Sequence, residues 1–299
     1  MPTMDERSPN VLISLFRGAR LVLHLVYAVL LAIPYPHLSQ TKRRRTLRIW
    51  SRQLLDILNI GIRTEGQRPT RGEGGCLIVA NHVSWLDIFV LNTIYPSRFV
   101  AKAEVRDWPL IGWLCKRSNN IFIERALRPK SIHQDAASIN QQVSLLLEQG
   151  VCVGLFPEGT TTDGKQVMHF HSALIQPAID AGAMLCPIAL RYLDEDGEQS
   201  GGAPFIDDMT LSRSIWRILR SPRFDALLVF TPALATAGEN RRVLARAAQA
   251  AISKGLQNVA AMRPKPEQEA TFAIPQTLLS AQSAYASLLL PLPNQPPRQ

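Results

Sequence analysis

Cys76-Leu77-Ile78-Val79-Ala80 runs without a polar residue into Asn81-His82-Val83-Ser84-Trp85-Leu86-Asp87. A short uninterrupted apolar run of this kind reads as a strand. The pattern then turns helical over 84–95. Strands that hand over directly to helices are the repeating unit of a parallel α/β sheet. Such sheets carry their chemistry just beyond the carboxyl ends of strands, which is where His82 falls.

The same alternation extends along the chain. Arg98-Phe99-Val100-Ala101, Ile121-Phe122-Ile123, Val151-Cys152-Val153-Gly154-Leu155-Phe156 and Leu185-Cys186-Pro187-Ile188-Ala189-Leu190 read as further strands. Helical patterns cover 131–149 and 172–181, and a strand at 226–230 with a helix from about 239 to 259 completes the unit. The predicted fold class is α/β with a largely parallel central sheet, occupying residues 66–260.

Residues 11–33 form the most apolar long stretch, but Arg17, Arg20 and His24 interrupt it. Only 21–33, His24 apart, is apolar, short of the ~20 residues that a spanning helix needs. Pro34-Tyr35-Pro36 follows in place of a small-residue cleavage site, so no cleaved signal peptide is expected. Next, Lys42, Arg43, Arg44, Arg45, Arg48 and Arg52 alternate with Leu47, Ile49, Trp50, Leu54, Leu55 and Leu58. That is a basic amphipathic helix, suited to a lipid headgroup layer or to a solvated basic face over a small core. Residues 1–65 are therefore read as membrane-associating helices on the cytoplasmic face of the inner membrane. From 261 to 299 the chain holds seven of its 21 prolines and is read as a loosely ordered tail.

A formal charge of +9 over 299 residues points to an anionic partner, whether membrane, phosphorylated substrate or nucleic acid. No nucleic-acid-binding signature accompanies the charge, so nucleic acid is not expected. Cys76, Cys115, Cys152 and Cys186 each sit in apolar sequence without zinc-like spacing. They read as reduced core residues, and no metal is expected.

His82 can remove a proton from an attacking hydroxyl, and Asp87 can orient the imidazole and stabilise its charged form. Five residues turn about 500° on a regular helix, so the pair meets only if His82 lies in the turn before the helix. Ser84-x-x-Asp87 also matches a capping box, in which Asp87 merely caps and His82 fills a turn. The residues alone leave both readings open. Gly159 to Lys165 has the G-x-x-x-x-G-K spacing of a phosphate loop, but Gln166 stands where that loop needs Ser or Thr. A glycine- and hydroxyl-rich turn can still hold a phosphate through backbone N–H groups. Glu158 could accept from a substrate hydroxyl or fix the loop. Arg125 and Lys102, each ending a strand, suit either a phosphate or a surface ion pair.

Asn81-His82-x-Ser84-x-x-Asp87, Ile121-Phe122-Ile123-Glu124-Arg125, Phe156-Pro157-Glu158-Gly159-Thr160 and Cys186-Pro187-Ile188-Ala189 together resemble the four ordered blocks of the glycerolipid acyltransferase family. That family contains the 1-acyl-sn-glycerol-3-phosphate acyltransferases, and the resemblance covers about residues 75–195. It implies a glycerol-3-phosphate acyltransferase-like domain behind membrane-associating helices. It further implies direct transfer of an acyl group from acyl-CoA or an acyl carrier protein to the sn-2 hydroxyl of 1-acyl-glycerol-3-phosphate, giving phosphatidic acid. The acyl donor is a co-substrate, and no cofactor is implied. His82 would be the general base with Asp87 its partner, and Arg125 would bind the phosphate. Glu158, Gly159 and Thr160 would shape the acceptor site, and Pro187 the acyl region. Three positions depart from the blocks: Asn119 replaces the usual glycine, Glu124 stands where Asp is also common, and Thr161 replaces a basic residue. Phe170-His171-Ser172-Ala173-Leu174 with Gln176-Pro177-Ala178 resembles members acting on lyso-ornithine lipid, the alternative acceptor.

Two other classes make different demands. A serine hydrolase needs a G-x-S-x-G elbow, which the chain lacks. A non-catalytic lipid-surface protein would share the charge and the N-terminal helices but has no need of His82 with Asp87.

Overall fold

The computed structural model describes residues 9–68, 75–102, 111–117, 121–123, 132–206 and 208–261. Arg125 and the proline-rich tail lie outside the described residues, as do the side chains of Lys102 and Cys115.

The apolar run that ends at Ala80 forms β2 (Cys76–Ala80), and it lies inside a seven-stranded sheet. The other strands are β1 (Ile60–Glu65), β3 (Arg98–Lys102), β4 (Ile121–Ile123), β5 (Val153–Leu155), β6 (Met184–Leu193) and β7 (Phe224–Phe230). Their order is β1-β7-β6-β2-β5-β3-β4. Only β6 and β7 pair antiparallel; every other neighbouring pair is parallel. The sheet is largely parallel, as the alternation predicts.

Helices α1 (Val11–Ala32), α2 (Gln40–Ile57), α3 (Leu86–Ile94) and α7 (Leu211–Leu219) cover one face, with Leu21, Leu55, Leu86 and Ile218 packed on Ile78, Ile188 and Leu190. The opposite face buries Leu77, Val79 and Leu155 against α5 (Ile132–Glu148), α6 (Gln176–Asp180) and α8 (Arg241–Ala261). Consecutive residues of β2 thus enter two different cores, the period-two consequence of the pleat. Burial on both sides explains why its sequence carries no polar alternation. A short α4 (Ile111–Arg117) completes the described helices.

Three elements have no counterpart in the sequence reading. β1 and α7 are short and mix polar with apolar residues, and α4 is a seven-residue helix. β1 falls within 1–65 yet pairs with β7 from Ile60↔Phe224 to Glu65↔Val229, so the sheet begins before residue 66.

α1 is one continuous helix of 22 residues over the apolar stretch read from sequence, and by length and composition it is long and apolar enough to cross a membrane. Its polar residues do not break it because most of them face the protein. Ser14 Oγ donates to Leu219 O at 3.1 Å, and Arg17 Nη1 lies 3.4 Å from the carbonyls of Leu219 and Ser221. These donors meet carbonyls at the end of α7 that have no partner within that helix. His24 is buried, stacked on Trp50 with ring centroids 4.8 Å apart, its Nε2 3.1 Å from Trp50 O. The outward face shows Leu12, Phe16, Val22, Leu23, Val26 and Leu30 to the surroundings.

Candidate active site

β2 is hydrogen-bonded to β5 on one side and to β6 on the other. Because β2 and β5 run parallel, the residues that leave their carboxyl ends emerge side by side. After β2 comes Asn81-His82; after β5 comes Phe156-Pro157-Glu158. Two of the sequence blocks therefore meet through sheet topology alone.

Asn81 is fully buried and continues the β2–β6 ladder with its side chain. Its Nδ2 donates to Leu190 O at 2.9 Å, and its Oδ1 accepts from Leu190 N–H at 2.8 Å. The amide imitates a backbone pair just past Ala80↔Ile188, so the chain stays in register as it leaves the sheet.

His82 stands in the turn before α3, and Asp87 in the first turn of that helix, as their spacing requires. Asp87 Oδ2 lies 2.7 Å from His82 Nδ1 and accepts the N–H groups of Val83 at 2.7 Å and Ser84 at 3.0 Å. Its Oδ1 accepts from Tyr192 Oη–H at 2.6 Å. The carboxylate is completely buried and receives four hydrogen bonds, which offset its loss of solvent. Burial, reinforced by the Asp87 charge, raises the Tyr192 phenol well above its ordinary range and keeps it a donor.

Asp87 thus makes the contacts that each of its two readings requires. It caps backbone N–H groups from inside the helix and it holds the imidazole. Ser84 is not the N-cap: α3 starts at Leu86 with Trp85 before it, and Ser84 Oγ is buried without a partner among the described residues. The Asp87 carboxylate instead accepts the N–H groups of Val83 and Ser84 that precede the helix, as the acidic member of a capping box does.

The imidazole of His82 stacks on Phe156, with centroids 3.9 Å apart and planes 6° from parallel. Phe156 in turn stacks on Phe99 of β3 at 5.9 Å. Phe99 needs the room left by Gly154, where a Cβ would approach the ring to 2.5 Å. Held from below by an aromatic stack and from one edge by Asp87, the ring presents Nε2 on its far edge. No described residue hydrogen-bonds that nitrogen, and the side chain is 19% exposed.

Glu158 is buried and does not point at an open site. Its Oε1 accepts from His82 N–H at 2.8 Å and its Oε2 from Met168 N–H at 2.9 Å. Burial pushes this carboxyl above its ordinary value, against the two backbone hydrogen bonds and the nearby His82. Of its two expected roles, fixing the loop is the one the geometry carries. Thr162 closes the same turn, donating N–H to His82 O at 2.8 Å and Oγ1–H at 3.2 Å.

Gly159 has φ of 70°, a conformation that favours glycine, and it is exposed beside His171 together with Thr160. Thr161 Oγ1 donates to Phe205 O. Pro187 is buried opposite Val79 in the sheet, where the β6–β7 ladder has not yet begun, so its missing N–H breaks no bond to β7. Its carbonyl accepts from Thr231 Oγ1 at 2.8 Å. Lys102 ends β3. The structure therefore unites His82, Asp87 and Glu158, places Gly159 and Thr160 on the same turn, and sets Pro187 inside the sheet. Phe156, which opens the third sequence block, lies against His82, while Tyr192 behind Asp87 and Phe99 behind Phe156 were announced by no motif spacing.

A family model described as Acyltransferase matches residues 61–191, a span that holds every one of these residues except Tyr192. A lyso-ornithine lipid O-acyltransferase of Pseudomonas aeruginosa is 37% identical over 219 residues, covering 73% of this chain and 81% of that one. A 1-acyl-sn-glycerol-3-phosphate acyltransferase of Neisseria meningitidis is 39% identical over 177 residues, 59% of this chain and 67% of that one. The crystal structure of the 1-acyl-sn-glycerophosphate acyltransferase of Thermotoga maritima shares the fold, with a TM-score of 0.57 at 20% identity, covering 83% of this chain and all of that one. Sequence identity across most of a relative's length, on a shared fold, makes this chain an acyltransferase of the family that contains the 1-acyl-sn-glycerol-3-phosphate acyltransferases.

Proposed function

We propose that the enzyme moves a fatty acyl group from the thioester of acyl-CoA or an acyl carrier protein to the hydroxyl of a lysolipid, with His82 as general base. The observation that carries this reading is the pairing of His82 Nδ1 with Asp87 at 2.7 Å while Nε2 stays open. With Nδ1–H donated to the carboxylate, the Nε2 lone pair is the proton acceptor. The acceptor hydroxyl loses its proton to Nε2 as its oxygen attacks the thioester carbonyl carbon. Collapse of the tetrahedral intermediate breaks the C–S bond, and the departing thiolate takes the proton from the imidazolium. Asp87, buried and fixed by three further donors, stabilises that imidazolium during the reaction. Alignment of two bound reactants supplies much of the acceleration, and the scheme needs neither a metal nor an acyl-enzyme.

The acceptor is 1-acyl-glycerol-3-phosphate, and the product phosphatidic acid. Arg125 and Lys102 bind the phosphate, Gly159 and Thr160 line the acceptor turn, and Pro187 borders the acyl region. The enzyme works at the cytoplasmic face of the inner membrane, with the apolar face of α1 in lipid and the exposed bases of α2 on anionic headgroups. Two observations favour a second acceptor, lyso-ornithine lipid. The Pseudomonas relative that acts on that lipid aligns over more of the chain than the Neisseria relative does. Thr161, where the family blocks carry a basic residue, is neutral and spends its hydroxyl on Phe205 O.

Kinetics with each acceptor in mixed micelles decide between the two. With 1-acyl-glycerol-3-phosphate, Arg125→Ala should raise the acceptor KM roughly tenfold to hundredfold and leave acyl-CoA binding unchanged, because charged hydrogen bonds contribute ~1.5–3 kcal/mol. Arg125→Lys should recover part of that loss, since a point charge lacks the planar fork. A higher kcat/KM for lyso-ornithine lipid would replace the acceptor and keep the chemistry. Failure to transfer to any lysolipid would overturn the reading.

A further inference from the structure

We propose that Tyr192 is a positioning residue for acyl transfer, acting on His82 through Asp87; this rests on His82 being the base. The phenol is completely buried, and its one hydrogen bond among the described residues runs 2.6 Å to Asp87 Oδ1, the carboxylate oxygen that His82 does not use. Oδ2 already serves His82, Val83 and Ser84. Among the described residues, Tyr192 is therefore the sole hydrogen-bond partner of Oδ1.

The two oxygens of one carboxylate are electronically joined. A donor on Oδ1 draws charge away from Oδ2 and so moderates the pull of Asp87 on the imidazole. It also locks the rotation of the carboxylate, which fixes the edge that His82 must meet. The phenol suits both tasks because its burial keeps it protonated, and a deprotonated neighbour would repel the carboxylate.

The backbone explains how this tyrosine arrives. Asn81 clamps Leu190 at both its N–H and its C=O, so β6 is held in fixed register against the end of β2. Two residues along a strand return to the same face. Leu190 and Tyr192 both enter the core shared with α3, where Asp87 sits. The first residue of the Asn81-His82 pair thus sets the strand that carries the phenol, and the second receives the benefit. Phe224 packs edge-on against the tyrosine ring at 5.9 Å and holds it in place.

Tyr192→Phe removes one oxygen and keeps the ring, so the core stays filled. We expect kcat to fall about three- to tenfold with both KM values unchanged, because a carboxylate free to rotate no longer fixes the imidazole in line with the acceptor hydroxyl. The acid limb of the pH profile of kcat/KM should move to higher pH, since an Asp87 with less charge withdrawn holds the imidazolium more tightly. In an Asp87→Asn background the same substitution should change kcat little, because the path through Asp87 is already cut. A Tyr192→Phe enzyme with a lower Tm but wild-type kcat and pH profile would show a structural role and overturn the proposal. Full additivity with Asp87→Asn would overturn it too. The outcome is separable from the parent reading: an active, folded His82→Ala protein would sink the base, whereas an inactive one with an unaltered Tyr192→Phe profile sinks only the positioning role.

Discussion

At the carboxyl ends of β2 and β5 the charged side chains collect N–H groups, whereas along α1 and α2 they collect carbonyl oxygens. Asp87 and Glu158 between them accept from the backbone of His82, Val83, Ser84 and Met168. Arg17 reaches Leu219 and Ser221, Arg43 reaches Tyr35 and Pro36, Arg44 reaches Gly150, and Arg48 reaches Ile94. In both regions a charge ties down loose chain ends, acids at helix and loop starts and bases at helix ends, in the sense that backbone dipoles favour. What remains unspent differs. At the sheet edge it is one nitrogen of His82; on the N-terminal pair it is an apolar stripe with a few exposed bases. A rigid frame with a single open reactive atom suits catalysis, and a rigid frame with an open apolar face suits a lipid surface.

The largest expected effect probes the single open atom. His82→Ala should lower the turnover of acyl-CoA by ~10²–10⁴-fold, the usual worth of a general base, while the melting temperature stays near wild type. The mild thermal effect is expected because the imidazole is at the edge of the fold and makes one side-chain hydrogen bond. Asp87→Asn should cost activity nearly as much and stability as well, because an amide nitrogen cannot accept from the donors that the carboxylate serves. Equal stability of the two variants would mean that the sheet edge is less committed to Asp87 than the geometry indicates.

A second substitution tests the frame beneath the ring. Gly154→Ala would set a methyl within 2.5 Å of Phe99, which must shift and take Phe156 and His82 with it. Overpacking of this kind costs roughly 1–3 kcal/mol, so both Tm and kcat should drop. Combining it with Phe99→Leu should restore Tm in part without restoring kcat, because the stack under His82 is then lost. Recovery of full activity in the double variant would show that the aromatic stack is incidental.

How far these features could be read from sequence follows from the range of the forces that make them. β2, β3 and β5 were legible because burial on both faces leaves an unbroken apolar run in each. The His82–Asp87 contact was legible because strand and helix signals flank it within a dozen residues. Tyr192 was not, since its bond to Asp87 spans 105 positions and depends on β6 lying beside β2. Glu158 left two roles open in sequence, and only the neighbouring of β2 and β5 decides between them. In α1, Arg17 and His24 read as interruptions in sequence, and the domain itself satisfies them. Polar residues on one face of an apolar helix signal a protein partner on that face as readily as a break.

The smallest expected effect separates the structural bases of α2 from those free to meet lipid. Lys42 and Arg45 are exposed, and no described residue accepts a hydrogen bond from either side chain, whereas Arg44 donates to Gly150 O at 3.0 Å behind α5. An exposed base near an anionic bilayer contributes ~1 kcal/mol, screened by salt. Lys42→Gln combined with Arg45→Gln should therefore weaken binding to vesicles containing anionic lipid at low salt by about tenfold to thirtyfold. The melting temperature should not move. Arg44→Gln should do the reverse, lowering stability by about 1 kcal/mol and leaving vesicle partition nearly intact. High salt should erase the first difference and preserve the second. If the double variant partitions like wild type at every salt concentration, the apolar face of α1 alone holds the enzyme on the membrane, and the bases of α2 serve the fold only.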